Sequence, residues 1–325
     1  MRRWLVAVAL AGLAGLVLGG CGGGGGDATL GSGECPELKI VVTTSILGDV
    51  VGNLAAGSGR VEVLMPVGAD PHSFQVSASQ AAALRRADLV VVNGLGLEEG
   101  MGGAIEAAAA DGVPLVEAAS FVEALAFAVG AGEGEPAPGE NDGDRRPLDP
   151  HIWTDPVRMA DVATGLGEAL AAADRACPER WREAAADYRQ ELLRLDGEIE
   201  AILAVIPQER RKLVTNHWAL GYFADRYGFE VLGAIIPGGG TLAAPSPADL
   251  AALAQTLERE GVRAVFTETT HSADLAEAVA AELGPGVAVV GLFTGSLGEP
   301  GSGAETYLSM QRANAQRIAD ALGGS

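Results

Sequence analysis

Only four histidines occur in 325 residues, and three of them stand where they could hold a metal ion. His72 lies in Gly68-Ala69-Asp70-Pro71-His72-Ser73-Phe74, His151 in Asp149-Pro150-His151-Ile152-Trp153, and His217 in Thr215-Asn216-His217-Trp218. A neutral imidazole offers one nitrogen lone pair, the donor that zinc accepts readily. Three such groups beside aromatic rings, each at a loop-to-helix junction, read as one distributed metal site. Taken singly, each histidine reads as well as a packed core residue. No H-x-x-x-H pair is present, so a local helical zinc motif is excluded. The metal reading rests on the order of the whole chain.

That order is strand–helix alternation. β-branched runs at 39–43, 61–65, 89–93 and 113–116 predict buried parallel strands, with a helix over 45–55 and another opening at a Ser77/Gln80 capping box. Residues 178–206 predict the longest helix, with Trp181, Ala185, Tyr188, Leu192, Leu195, Ile199, Ile202 and Ile206 on one stripe that stops at Pro207. Further strands are predicted at 212–215, 229–236, 264–267 and 287–292. In open parallel sheets ligands bind beyond the carboxyl ends of the strands. His72, His217 and Glu268 follow strands, His271 comes three residues after Glu268, and a long loop lets His151 reach the same rim. The expected architecture is α/β: two lobes, each a parallel sheet flanked by helices, joined by one long helix with the cleft between them.

The charge and the leader narrow the setting. A formal net charge of -21 argues against nucleic acid, and a 48% hydrophobic chain can bury a large core. Arg2, Arg3 and the apolar run 4–18 read as an export signal over 1–20, too short to span a bilayer comfortably. Leu18-Gly19-Gly20-Cys21 resembles a bacterial lipobox, which makes Cys21 the lipidated residue and 21–37 a Gly-rich tether. Acidic residues among Gly and Pro predict a mobile loop over 130–146. Cys35 and Cys177 are candidates for a disulfide in an oxidising compartment, with two free thiols as the alternative. Gly94-Leu95-Gly96 does not make a dinucleotide site, because Glu99 stands at the third glycine and Glu98 brings an acid where phosphate would approach.

Several segments then coincide in order with one family. Beside the histidine segments these are Asn93-Gly94-Leu95-Gly96-Leu97-Glu98, His217-Trp218-Ala219-Leu220-Gly221-Tyr222-Phe223, Pro245-Ser246-Pro247 and Leu297-Gly298-Glu299-Pro300-Gly301-Ser302-Gly303. From about residue 39 onward the chain resembles the substrate-binding lipoproteins of bacterial zinc and manganese ABC importers. The resemblance implies a first lobe over 38–177, a rigid linking helix over 178–207 and a second lobe over 208–325. It implies a metal held between lobes by His72, His151 and His217, delivery to a cognate ABC permease, and a monomer lipid-anchored on the outer face of the cell membrane. Three imidazoles favour zinc over manganese, which leans toward oxygen.

One departure concerns the fourth ligand. The family's usual acidic residue is replaced by Gly295 in Phe293-Thr294-Gly295-Ser296-Leu297-Gly298. Glu268 or water would then complete the site, with His271 and Asp70 as lesser candidates. An exported zinc hydrolase is the rival from another class, with Glu268 as general base, although no G-x-S-x-G or H-E-x-x-H motif is present. Lipid anchoring at the surface also leaves an adhesin role open.

Overall fold

The computed structural model describes residues 35–55, 57–127 and 147–324. The export signal 1–20, Cys21, the tether through residue 34 and the acidic loop 130–146 lie outside the described residues. Among those described, no helix is long and apolar enough to cross a membrane.

Two four-stranded sheets carry the chain, each wholly parallel and wound in the same order. The first comprises β1 (Leu38–Val42), β2 (Gly59–Val63), β3 (Leu89–Val92) and β4 (Leu115–Glu117), arranged β2-β1-β3-β4. The second comprises β5 (Lys212–Thr215), β6 (Glu230–Ala234), β7 (Ala264–Glu268) and β8 (Ala288–Leu292), arranged β6-β5-β7-β8. All four residues of β3 and all five of β7 are buried, as strands covered by helices on both faces must be. The covering helices of the first half are α1 (Ser45–Ala55), α2 (Ala78–Leu84), α3 (Gly102–Ala110) and α4 (Pro156–Ala173). After the long α5 (Pro178–Leu203) come α6 (Gly221–Tyr227), α7 (Pro247–Arg259), α8 (Asp274–Leu283) and α9 (Tyr307–Gly323). Capping boxes open three of these helices: Ser77 with Gln80, Ser246 with Asp249, and Thr306 with Ser309.

Helix α5 is the axis of the molecule. It buries Trp181, Ala185, Tyr188, Leu192, Leu195, Ile199 and Leu203, and one apolar core runs from β1 past this stripe to Phe266, Leu292 and α9. Gly167 lets α4 press against it, since a Cβ there would stand 2.4 Å from the Ala185 methyl. Trp181 is fully buried, and its indole N–H donates to Asp174 Oδ2 at 2.9 Å. Cys35 and Cys177 are joined as a disulfide with Cα atoms 5.8 Å apart, fastening the residues before β1 to the N-terminus of α5.

Several boundaries differ from the sequence expectation, two of them for reasons the packing shows. The helix expected over 178–207 ends at Leu203, because the Pro207 ring would clash with the Leu203 carbonyl; that carbonyl accepts the Ile206 amide instead. Strand β2 starts at Gly59 rather than 61, and a Cβ at Gly59 would meet Trp181 and Ile40 at 3.1 and 3.3 Å.

The halves meet through hydrogen bonds as well as core. Trp153 donates to the Thr294 carbonyl at 2.7 Å, while its own carbonyl accepts Tyr307 Oη and Gln311 Nε2. Ser45 and Ser296 share a hydrogen bond at 3.1 Å, and Gly68 N–H donates to Ser296 Oγ. Trp181→Ala should lower unfolding free energy by about 3–5 kcal/mol, chiefly the cost of a large core cavity, since Asp174 keeps Arg180 and the Ala176 and Cys177 amides. Urea denaturation of the purified domain measures it, and a loss below about 1 kcal/mol would contradict the axial role of α5.

Candidate metal centre

Each histidine is placed by a short local device. After β2 the chain turns at Asp70, whose carbonyl accepts the Phe74 amide and whose Oδ1 accepts the His72 amide at 3.1 Å. Asp149 repeats this turn, with Oδ1 accepting the His151 amide at 2.9 Å. The preceding Pro150 carbonyl is held by Asn93 Nδ2 at 2.9 Å, which ties this loop to the end of β3. A 3-10 turn (Ile152–Thr154) follows, and then Asp155 caps α4 with Pro156 in its first turn. His217 follows β5, its carbonyl fixed by Thr215 Oγ1 at 2.6 Å and by the Ala219 amide.

These devices bring the three rings together. His72 Nε2 lies 3.2 Å from His151 Nε2, and His217 Nε2 lies 3.0 Å from the same atom. All three rings are buried. Among the described residues, this is the one group of three or more ligand-type side chains close enough to share an ion. Nitrogens bound to one tetrahedral zinc at about 2.0–2.1 Å stand roughly 3.3 Å apart, close to the separations seen. The opposite face of two rings is fixed by carboxylates: Asp149 Oδ1 lies 2.7 Å from His151 Nδ1, and Glu268 Oε1 contacts His217 Nδ1. A carboxylate on Nδ1 holds the proton there and leaves Nε2 as a bare lone pair. In that tautomer the two Nε2 atoms, 3.0 Å apart, offer lone pairs that one cation could share.

Charge in the site is set by burial. Burial pushes the His72 imidazole down to about 3, and the neighbouring His151 and His217 reinforce the shift. Burial alone would raise the Glu268 carboxyl, but His217 beside it, with His271 and His151, holds it below its ordinary value. Asp70 is similar: the nearby His271 imidazole, together with the donors Thr241, Ser73 and the His72 amide, outweighs burial and keeps it well below the usual carboxylate range.

The residues expected to supply a fourth ligand are placed elsewhere. Glu268 does end β7 on the cleft rim, but it sits behind His217 rather than among the Nε2 atoms. Its short reach from the strand end is spent on the Nδ1 face of that ring, and its other oxygen accepts Thr270 Oγ1 at 3.4 Å. His271 Nε2 faces Asp70 Oδ2 at 3.6 Å instead of the ring cluster. A Cβ at Gly295 would stand 3.4 Å from Glu268 Oε2 and 3.2 Å from Pro71. The Glu98 carboxylate, buried, accepts the amides of Asn93 and Gly94 and the hydroxyl of Thr43, so the protein's own acid fills that amide cradle. The role of Asp149 was not foreseen; its only signal is the spacing it shares with Asp70, an aspartate two residues before a histidine.

Because the folded state holds His72 neutral down to about pH 3 while an unfolded histidine takes up its proton near 6.5, folding releases that proton between these values. The metal-free protein should therefore lose stability as pH falls below 6.5. Thermal melts in chelator should show this slope in the wild type and a flatter one in His72→Gln; equal slopes would place the protonation elsewhere.

Residues 40–321 match the family described as zinc-uptake complex component A, periplasmic. The manganese-binding lipoprotein MntA of Halalkalibacterium halodurans is 31% identical over 307 residues, covering 94% of this chain and 95% of its own. The zinc-binding protein TroA of Treponema pallidum is 30% identical over 291 residues, 87% of this chain and 88% of its own. The solved structure of the periplasmic zinc-binding TroA superposes with a TM-score of 0.77 at 28% identity, covering 88% of this chain and 99% of that one. Fold, site order and full-length similarity agree: the chain belongs to the zinc-uptake component A family of metal-binding ABC-importer substrate-binding proteins.

Proposed function

We propose that this protein captures zinc outside the cytoplasm and delivers it to the membrane permease of a cognate ABC importer. The observation that carries the reading is the convergence of three buried Nε2 atoms, two of them on rings whose far nitrogen faces a carboxylate. In this reading His72 and His151 from the first lobe and His217 from the second are the ligands, and water takes the fourth place left by Gly295. Glu268 and Asp149 orient rings rather than bind metal. The lobes are 38–177 and 208–325, with 178–207 between them. The protein works as a monomer, held to the membrane by lipid on Cys21.

Manganese is the second reading, because relatives named for manganese and for zinc are about equally similar. An all-nitrogen set favours zinc, since manganese is better served by oxygen. Members of this family are solute-binding components of transporters, and no catalytic role is proposed.

Competition titrations with zinc and manganese on protein purified without chelators test the choice. Zinc should bind one ion per chain and far more tightly than manganese; the reverse order would establish the manganese reading. Alanine at His72, His151 or His217 should each weaken zinc binding by well over about 100-fold with the fold intact, as expected for direct ligands, whereas Glu268→Gln should cost about 10–100-fold through His217. Titration of any single histidine variant like the wild type would remove that residue from the ligand set.

A further inference from the structure

The two Asp-Pro-His segments share a turn and then diverge. In each, the aspartate Oδ1 accepts the amide of the histidine two residues later. Asp149 applies that same oxygen to its own histidine ring. Asp70 looks the other way, across the cleft: its Oδ2 accepts Ser73 Oγ at 2.7 Å and, from the second half of the chain, Thr241 Oγ1 at 2.7 Å. His271, also from the second half, has its buried Nε2 3.6 Å from this oxygen and no hydrogen-bond partner among the described residues. One carboxylate, two residues before His72, is thus a place where the far half of the molecule takes hold of the loop that carries this ring, nearer to it than the Gly68 amide on Ser296 Oγ.

The segment that brings Thr241 there has room to do so only because it is glycine. Gly238 adopts φ +87°, a conformation that side chains resist. A Cβ at Gly239 would collide with the Phe127 ring at 2.3 Å, and one at Gly240 would stand 3.7 Å from His72 Nδ1. Gly240 therefore lies beside the His72 ring, Gly239 against Phe127, and the Thr241 hydroxyl fastens the segment to Asp70. An ion held by His72, His151 and His217 cannot leave without breaking its bond to at least one of them. Besides the Gly68 amide on Ser296 Oγ, the far half bonds the loop bearing His72 through the Asp70 carboxylate.

We propose that Asp70, Thr241 and His271 form a latch across the mouth of the metal cleft, which holds the His72 loop closed and sets how slowly metal leaves, none of the three being a ligand. The proposal rests on the reading of His72 as a ligand. The internal bonds of the turn, from Ser73 and from the His72 and Phe74 amides, remain when the cross-cleft donors are removed, so the loop keeps its shape and loses only its fastening. The effect should fall on dissociation rather than on association, as changes at one interface usually do.

The test uses the full chain loaded with one zinc per protein and follows release into excess chelator by stopped flow. Thr241→Val, which keeps the shape and removes the hydroxyl, should release zinc roughly tenfold faster, the scale of one hydrogen bond to a charged acceptor. His271→Gln should also speed release, and Thr241→Ser, which restores the donor, should behave as wild type. Association rates, stoichiometry and the zinc X-ray absorption spectrum should be unchanged in all three, and circular dichroism melts check that each is folded. Release at the wild-type rate from folded Thr241→Val and His271→Gln would overturn the latch while leaving the binding site standing. A changed zinc coordination spectrum in His271→Gln would make that residue a ligand and overturn the latch as well. A wild-type chain that takes up no zinc and no manganese would overturn the site and the latch together.

Discussion

Two buried carboxylates decide what the cluster of imidazoles is. With Asp149 on one Nδ1 and Glu268 on another, His151 and His217 present unprotonated nitrogens to the same small volume. Without those acids each ring could turn its proton inward, and the cluster would be an ordinary hydrogen-bonded core. With them, the rings offer a set of donors suited to a cation. The rest of the molecule can be read as the means of keeping that arrangement dry and in register, since ring orientation matters to a metal at the level of tenths of an ångström.

Rigidity is supplied by the single axis. α4 lies close on α5 through Gly167, and the disulfide pins the entry to β1 beside the start of that helix. On the other side, Arg226 and Tyr227 of α6 bond Asp196 of α5, so the segment that follows His217 is tied to the same helix. Trp153, two residues past His151, is held by Thr294, Tyr307 and Gln311 from the far half. Two of the three rings are therefore referenced to the common axis by several bonds. His72 is the exception. Its loop follows an edge strand and meets the far half near the site through the Asp70 contacts.

The residues most legible in the sequence were those with one dominant physical demand. A run such as Leu89–Val92 can be little else than a doubly covered strand, and the α5 stripe declared its buried face before any coordinates did. The three histidines stood out because the chain has so few. Carboxylates were harder, because an acid serves as ligand, turn-former or ring-orienting partner with no change in local spelling. Asp70 and Asp149 sit in the same tripeptide and perform different tasks, and only the tertiary surroundings separate them. Glu268 was placed on the correct rim, but which face of His217 it meets depends on where the ends of β5 and β7 fall. Element ends moved for local reasons, as the Pro207 ring and the Gly59 contact with Trp181 illustrate.

The distribution of the rings around α5 has a further consequence. Two belong to the chain before this helix and one to the chain after it, so neither part is a complete chelator. The second part contributes its nitrogen only because covalent continuity keeps it at high effective concentration. A single proteolytic nick after Leu203 would turn a tridentate ligand into a bidentate and a monodentate fragment, held together by the shared core and the hydrogen bonds between the halves. In the proposed role, metal retention is then also an audit of chain integrity: a nicked carrier sheds its cargo instead of presenting it.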